Sequence, residues 1–340
     1  MKQGNSTARA VDDAVRPAAA YAQQKRVPDF FIVGHPKCGT TALYEMLRRH
    51  PQIFMPDIKE PNFFITEVRY RAPWRTSGRP LETLDDYLSL FDAAKPEQRI
   101  GEASVHYLWS RTAADGIAAI QPDAYIVAIL REPASFLRSL HLQFVQSNVE
   151  TEKNFEKALS FEDARRRGRH VPRASSDWQQ ALIYSDHVRY VDQLRRYQAL
   201  FPSEHVLVLI YDDFRRDNEA SLRTVLRFLD VDDSHPIEVT DANHTVRVRS
   251  QHFNHIVDAV SMGRGPVSHA VKEGIKALIP RRARHRALEA TQRRIVYGAP
   301  RPPDEKLMIE LRCRFKPEVV ALSEYLDRDL VTLWGYENIG

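Results

Sequence analysis

The sequence predicts an α/β protein of three layers: a central, mainly parallel sheet with helices on both faces, plus further helices at the C-terminal end. Two observations carry this expectation. Short apolar runs alternate along the chain with stretches of helical periodicity, as in β-α units that fill a parallel sheet. The first apolar run also passes through a glycine-containing loop directly into the first helical stretch, which presents a helix N-terminus to an anion.

Phe30 to Val33 (FFIV) is a short, wholly apolar strand, and the following TALYEMLRRH carries Leu43, Met46 and Leu47 at helical spacing. Arg99 to Val105 (RIGEASV), Ala124 to Arg131 (AYIVAILR) and His205 to Tyr211 (HVLVLIY) read as three further strands. Helices are expected over Thr112 to Ile120, Ala134 to Gln146 and Ser185 to Leu200. The basic run RRRGRHVPRASSD, Arg165 to Asp177, reads as a loop interrupting this pattern. A last amphipathic helix is expected from Asp304 to Leu326, kinked or split at Pro317, with the chain ending its fold near Trp334. No internal repeat is present. Residues 1–28 read as a flexible polar tail, with a weak helix around Ala18 to Gln24. Residues 29–340 read as a single domain: a core over about 29–230 and a basic, helical C-terminal part over about 231–340.

The chain has 340 residues, 43% hydrophobic and 28% charged, ordinary values for a soluble globular protein. Its net charge of +4 suits an anionic ligand. Two cysteines, Cys38 and Cys313, are too few for a disulfide framework and point to a reducing compartment. No apolar run approaches the about 20 residues of a membrane span, and the N-terminus lacks the apolar stretch of a signal peptide. A cytoplasmic location is the expectation.

The segment FFIVGHPKCGTT has the glycine spacing of a phosphate-binding loop, Gly34 to Gly39, with Thr41 where a Ser or Thr belongs. Thr40, however, stands where a nucleotide-hydrolysing loop carries its lysine, and the only lysine, Lys37, lies inside the loop. Backbone N–H groups, the hydroxyls of Thr40 and Thr41, and Lys37 all suit an anion, and Thr40 is a candidate helix cap. A metal-dependent ATPase or nucleotide kinase fits poorly, because the strongest later strand ends in Arg131 instead of an aspartate that would organise a metal. Arg131, followed by Glu132, Pro133 and then Ser139, suggests a seat for a second phosphate.

Together these segments resemble the sulfotransferases that use PAPS (3′-phosphoadenosine 5′-phosphosulfate). Pro36-Lys37-Cys38-Gly39-Thr40-Thr41 matches the family's P-K-x-G-T-[TS] loop, and Arg131-Glu132-Pro133 with Ser139 matches its R-[DE]-P element with a later serine. KEPNFF (Lys59 to Phe64) and GEASVHY (Gly101 to Tyr107) resemble the K-E-x-x-F-F and E-K-x-x-x-Y segments of heparan-sulfate-type members. The resemblance covers roughly Phe30 to Asp230 and continues weakly into NHTVRVRSQ (Asn243 to Gln251) and the final helix. It implies a P-loop-like fold. It also implies PAPS as sulfuryl donor, the bisphosphate PAP as product, no divalent metal, and donor contacts from Pro36 to Thr41, Arg131 and Ser139.

The resemblance implies that Lys37 stabilises the leaving phosphate and that Glu102 is the general base taking the acceptor's proton. Glu60 is the second candidate base and His106 the third. Lys59 is open between a partner for Glu102 and a contact to sulfate oxygens. Arg247, Arg249 and Ser250 match the family's later basic segment only loosely. One departure is Cys38, where a small Ser, Thr or Ala is expected. Space-filling is its simpler role, but a thiol beside a helix N-terminus and a lysine is also expected to have a lowered pKa, so that its oxidation blocks donor binding.

The expected acceptor is a hydroxyl or amine of a small molecule, saccharide or glycolipid, in a bacterial cytoplasmic setting. Two alternatives remain: a P-loop nucleotide kinase or ATPase, and a non-catalytic polyanion-binding protein. The arginine cluster from Arg281 to Arg294 offers a surface to an acidic acceptor or an anionic membrane, with a solvated helix face as the simpler role. No nucleic-acid recognition motif accompanies it.

Overall fold

The computed structural model of the chain describes residues 25–68, 81–237, 247–248, 297–298 and 302–339. The tail with its Ala18 to Gln24 helix, Arg249, Ser250 and the Arg281 to Arg294 cluster lie outside the described residues.

Strand β1 (Phe30–Gly34) leads into helix α1 (Thr40–Arg48), and the two-residue strand β2 (Ile53–Phe54) follows. Next come α2 (Leu84–Leu88), β3 (Arg99–Ala103), α3 (Ala113–Ile120) and β4 (Tyr125–Leu130). Then come α4 (Pro133–Gln146), α5 (Phe155–Ser160), α6 (Glu162–Arg166), α7 (Tyr190–Gln198), β5 (Val206–Ile210), α8 (Tyr211–Arg216) and α9 (Asn218–Phe228). A short antiparallel pair joins β6 (Arg247–Val248) to β7 (Tyr297–Gly298), and α10 (Glu305–Tyr325) and α11 (Leu330–Leu333) close the chain.

The five main strands form one parallel sheet in the order β2-β3-β1-β4-β5. Phe30, Phe31, Ile32 and Val33 of β1 and Ile126 to Leu130 of β4 are all 0% exposed. These central strands are apolar on both faces because helices cover both. Each of the larger side chains among them contributes about 1.5–3 kcal/mol on leaving water. Because all five strands run the same way, their C-terminal ends share one edge, where an open α/β sheet binds its ligand. The turns after β1, β3, β4 and β5 gather there.

Helix starts follow local chemistry. Thr83 and Asp86 form a reciprocal capping box on α2, Asp217 caps α9 and Asp304 caps α10. Helix α10 runs through Pro317 as one element, where a kink or break was expected. Leu311, Phe315, Val319 and Leu322 are buried along one face, and that packing outweighs one missing N–H donor. The helix expected over Ser185 to Leu200 is instead a 3₁₀ turn, Tyr184–Val188, followed by α7, because Arg189 takes a non-helical conformation between them.

The basic run also departs from a solvated loop. Its first residue, Arg165, lies on α6 and is 1% exposed. It pairs with Glu150, itself 0% exposed, at 2.7 Å, and also donates to the carbonyls of Ala158, Leu182 and His170. Glu150 further accepts from Tyr184 Oη at 3.1 Å and from the N–H groups of Thr151 and Glu152. A buried ion pair with its remaining valences satisfied in this way persists.

Candidate active site

The turn between β1 and α1 keeps Lys37 and Gly39 partly exposed among buried neighbours. Gly39 is the N-cap of α1, in the left-handed region at φ 83, and no side chain caps the helix. The expected cap by Thr40 is therefore not made; Thr40 is the first helical residue and is buried. A Cβ at residue 39 would lie 2.7 Å from the Phe214 ring, so glycine is required by space as well as by conformation. From Lys37 to Ala42, no backbone N–H finds an acceptor among the described residues. A run of converging, unsatisfied donors at a helix start is the structural counterpart of a bound anion.

Two cations belong to the same corner, Lys37 within the loop and Arg131 bonded to it. Burial, then the charge of Arg131, holds the Lys37 ammonium below the ordinary lysine pKa. Arg131 begins the turn after β4 and donates from Nη1 to the Lys37 carbonyl at 3.1 Å. Its guanidinium lies over the Tyr211 ring at 4.8 Å, and Tyr190 Oη donates to its carbonyl at 2.8 Å. Neither Lys37 nor Arg131 has an ion-pair partner among the described residues. Arg138, whose pKa is lowered by partial burial and then by the charge of Arg131, adds a third cation near the seat. Ser139 is 3% exposed on α4, against which β6 with Arg247 is packed.

Cys38 is corrected by the structure. The thiol is fully buried, donates to the Pro36 carbonyl at 3.5 Å, and is pushed up to about 12 by burial. A buried neutral thiol is a poor target for oxidants. What Cys38 offers an anion is its backbone N–H, while its side chain fills space.

Around the end of β3 the KEPNFF segment forms a tightly held turn. Glu60 N–H donates to the Ala103 carbonyl at 2.9 Å, Asn62 N–H to Ser104 Oγ at 2.9 Å, and Phe63 N–H to Tyr107 Oη at 3.0 Å. Glu60 and Asn62 both have positive φ, 60 and 51. Such positions cost on the order of 1–3 kcal/mol and persist where surroundings enforce them. Lys59 Nζ pairs with Glu60 Oε1 at 2.7 Å, so its partner is Glu60 and not Glu102. The Glu60 side chain is 33% exposed. Burial pushes its pKa up, but the charges of Lys59 and His106 and the Lys59 hydrogen bond leave it below the ordinary carboxylate value.

Glu102 is 0% exposed, and its Oε2 accepts from Tyr87 Oη at 3.2 Å. Burial raises it to about 7 against hydrogen bonding from Ser104, Tyr107 and Tyr87. Tyr87 is stacked on Phe63 at 4.7 Å, so aromatic rings pack over the group that donates to this carboxylate. Direct proton abstraction by Glu102, expected from the sequence, requires an acceptor to reach a buried carboxyl group. His106 is 4% exposed, held neutral with a pKa of about 4 mainly by burial, and lies 5.8 Å from the Trp178 ring.

The structure thus brings Arg131 onto the loop from Pro36 to Thr41, sets Ser139 on helix α4, and places the partly exposed Glu60 within electrostatic reach of the buried Glu102. Sequence reasoning missed Tyr211, Tyr190 and Arg138. Tyr211 opens a YDDF segment directly after the last strand, which was a usable signal; Tyr190 carried none. No cluster of three or more metal-ligating side chains occurs among the described residues, and no described helix is long and apolar enough to cross a membrane.

A parallel sheet whose strand ends gather an uncapped helix start and two cations without ion-pair partners among the described residues has the layout of a nucleotide-binding α/β protein. Within that class, the sulfotransferase domain model matches residues 27–255 of the 340, and the chain belongs to that family. Its members use PAPS as sulfuryl donor. Carbohydrate sulfotransferase 15 of Mus musculus is 34% identical over 166 residues, covering 38% of this chain and 30% of the relative. Heparan sulfate glucosamine 3-O-sulfotransferase 6 of Homo sapiens is 31% identical over 119 residues, covering 35% and 31%. The match thus spans under a third of these curated relatives. A sulfotransferase crystal structure from Alicyclobacillus acidocaldarius superposes with a TM-score of 0.60 at 26% identity, covering 90% of this chain and 98% of that one.

Proposed function

We propose that the chain moves a sulfuryl group from PAPS to a hydroxyl or amine of a saccharide, glycolipid or small-molecule acceptor, with Lys37 at the leaving phosphate and Glu60 as general base. The observation that carries the reading is the run of N–H groups from Lys37 to Ala42 without an acceptor among the described residues, in the loop that carries Lys37 and that Arg131 bonds at the Lys37 carbonyl. As the acceptor oxygen bonds to sulfur and the bridging sulfur–oxygen bond breaks, negative charge grows on the departing phosphate. Preorganised donors at that point lower the barrier without reorganising. The acceptor's proton passes to Glu60, which is partly exposed and held ionised by Lys59. Glu102 supports the turn that carries Glu60, next to Ser104 and Tyr107. Relatives named for carbohydrate and heparan sulfate favour a saccharide acceptor. A cytoplasmic, bacterial setting belongs to the same proposal, supported by two free cysteines, Cys38 and Cys313.

The test is labelled-sulfate transfer from PAPS across a panel of saccharide, lipid and phenolic acceptors. Glu60→Gln should lower kcat by roughly 100- to 10,000-fold, while Glu102→Gln keeps most activity. The pH profile separates the two carboxyl groups. With Glu60 as base, the acid limb of kcat/KM falls below the ordinary carboxylate range; a break near 7 would return the role to Glu102.

Stability gives a second readout with a defined sign. Native Glu102 holds a proton up to about 7, whereas the unfolded chain releases it near 4.5. Its contribution is therefore most favourable below 4.5 and is lost as pH rises toward 7. Glu102→Gln should raise Tm at about pH 8 and change it little at about pH 4.

A further inference from the structure

The C-terminal segment lies beyond residue 255, where the family model ends, yet it reaches both turns that frame Arg131. Strands β4 and β5 are paired as far as Leu130 and Ile210, and their turns separate just after that pair. On the β4 side, the fully buried Tyr336 donates its hydroxyl to Glu132 Oε1. The same carboxylate caps α4 by accepting from Ala134 N–H at 3.1 Å and Ser135 N–H at 2.6 Å, and Arg312 Nε of α10 stands 3.6 Å from it. On the β5 side, Trp334 Nε1 donates to Asp212 Oδ2 at 2.9 Å, and Arg328 pairs with Asp213 at 2.6 Å. Asp212 follows Tyr211, whose ring lies against the Arg131 guanidinium. Trp334 is 6% exposed, so its ring is packed as well as hydrogen-bonded.

None of these tail side chains contacts Lys37 or the open N–H groups. They hold the carboxylates immediately next to Arg131 and to Tyr211, whose ring lies against the guanidinium, one on each side of the gap left where the strand ladder stops. We propose that the segment from Arg328 to Tyr336 is a brace that sets the separation of the β4 and β5 turns, and with it the placement of Arg131 toward the second phosphate of the nucleotide donor. Tyr336 and Trp334 are positioning residues: they act through Glu132 and Asp212, not on the ligand. The inference rests on the donor assignment made under Proposed function.

Calorimetry on the full chain tests it with two ligands, adenosine 3′,5′-bisphosphate and AMP, which share the 5′-phosphate and differ in the 3′-phosphate. Tyr336→Phe removes one oxygen and Trp334→Phe one indole N–H, so both changes are small enough to leave the core filled. Each variant should bind the bisphosphate about 3- to 10-fold more weakly while its affinity for AMP stays at the wild-type value. Wild-type preference for the bisphosphate retained in both variants overturns the brace and leaves the donor assignment standing. An equal loss for both ligands overturns it too, since that is the mark of general loosening. A wild-type chain that does not prefer the bisphosphate over AMP overturns the donor assignment and the brace together.

Discussion

The turns after β1 and β4 share a topology, strand into loop into helix at the same sheet edge, and solve it in opposite ways. At the first, α1 starts at Gly39 with no side-chain cap, and the N–H groups from Lys37 to Ala42 have no acceptor among the described residues. At the second, Glu132 takes the first N–H groups of α4 itself, Pro133 supplies a position that needs no donor, and Tyr336 buttresses the cap. The first turn therefore offers backbone to a ligand, and the second offers a side chain, Arg131, from a turn already complete. Binding capacity at the first comes from leaving the helix start unsatisfied; at the second it comes from satisfying it.

Lys37→Ala is the largest expected blow to this contrast. It should lower kcat by about 100- to 1,000-fold with little change in Tm, because the Lys37 ammonium has no ion-pair partner among the described residues. A fall in Tm matching the fall in rate would show the first turn to be structural after all. Hydrogen exchange sharpens the difference. In the free protein, amides from Lys37 to Ala42 should exchange fast and those of Ala134 and Ser135 slowly. Adenosine 3′,5′-bisphosphate at 100 times its Kd should slow the first group by about 100-fold. The smallest expected effect is on the second turn. Glu132→Ala should cost about 0.5–2 kcal/mol of stability as a lost cap, read by denaturant unfolding.

Much of this was legible from residues alone. The four longer strands are short, apolar and separated by helical periodicity, and each lies within about a residue or two of its expected bounds. Ile53–Phe54 escaped notice because two residues carry no period. Lys37 and Arg131 were readable because each sits in a local motif next to the strand that delivers it. Glu102 shows where local reading stops. Its place in an apolar strand was visible, but the cover of Tyr87 and the KEPNFF turn over that face comes from tertiary packing. Thr40 is the type of residue that caps helices, yet Gly39 in the left-handed region moved the helix start ahead of it. Tyr336 reaches Glu132 across 204 positions, a separation at which no spacing rule operates.

The Arg165–Glu150 pair has a consequence for how such a scaffold diversifies. It anchors from beneath the excursion that runs between α4 and α7 and carries Trp178 toward His106. The outward residues Arg167, Arg169 and Arg173 are exposed and bear no structural duty comparable to that of Arg165. Exchanges along this exposed run leave the buried pair untouched, so sequence change is cheap there as long as the anchor is kept.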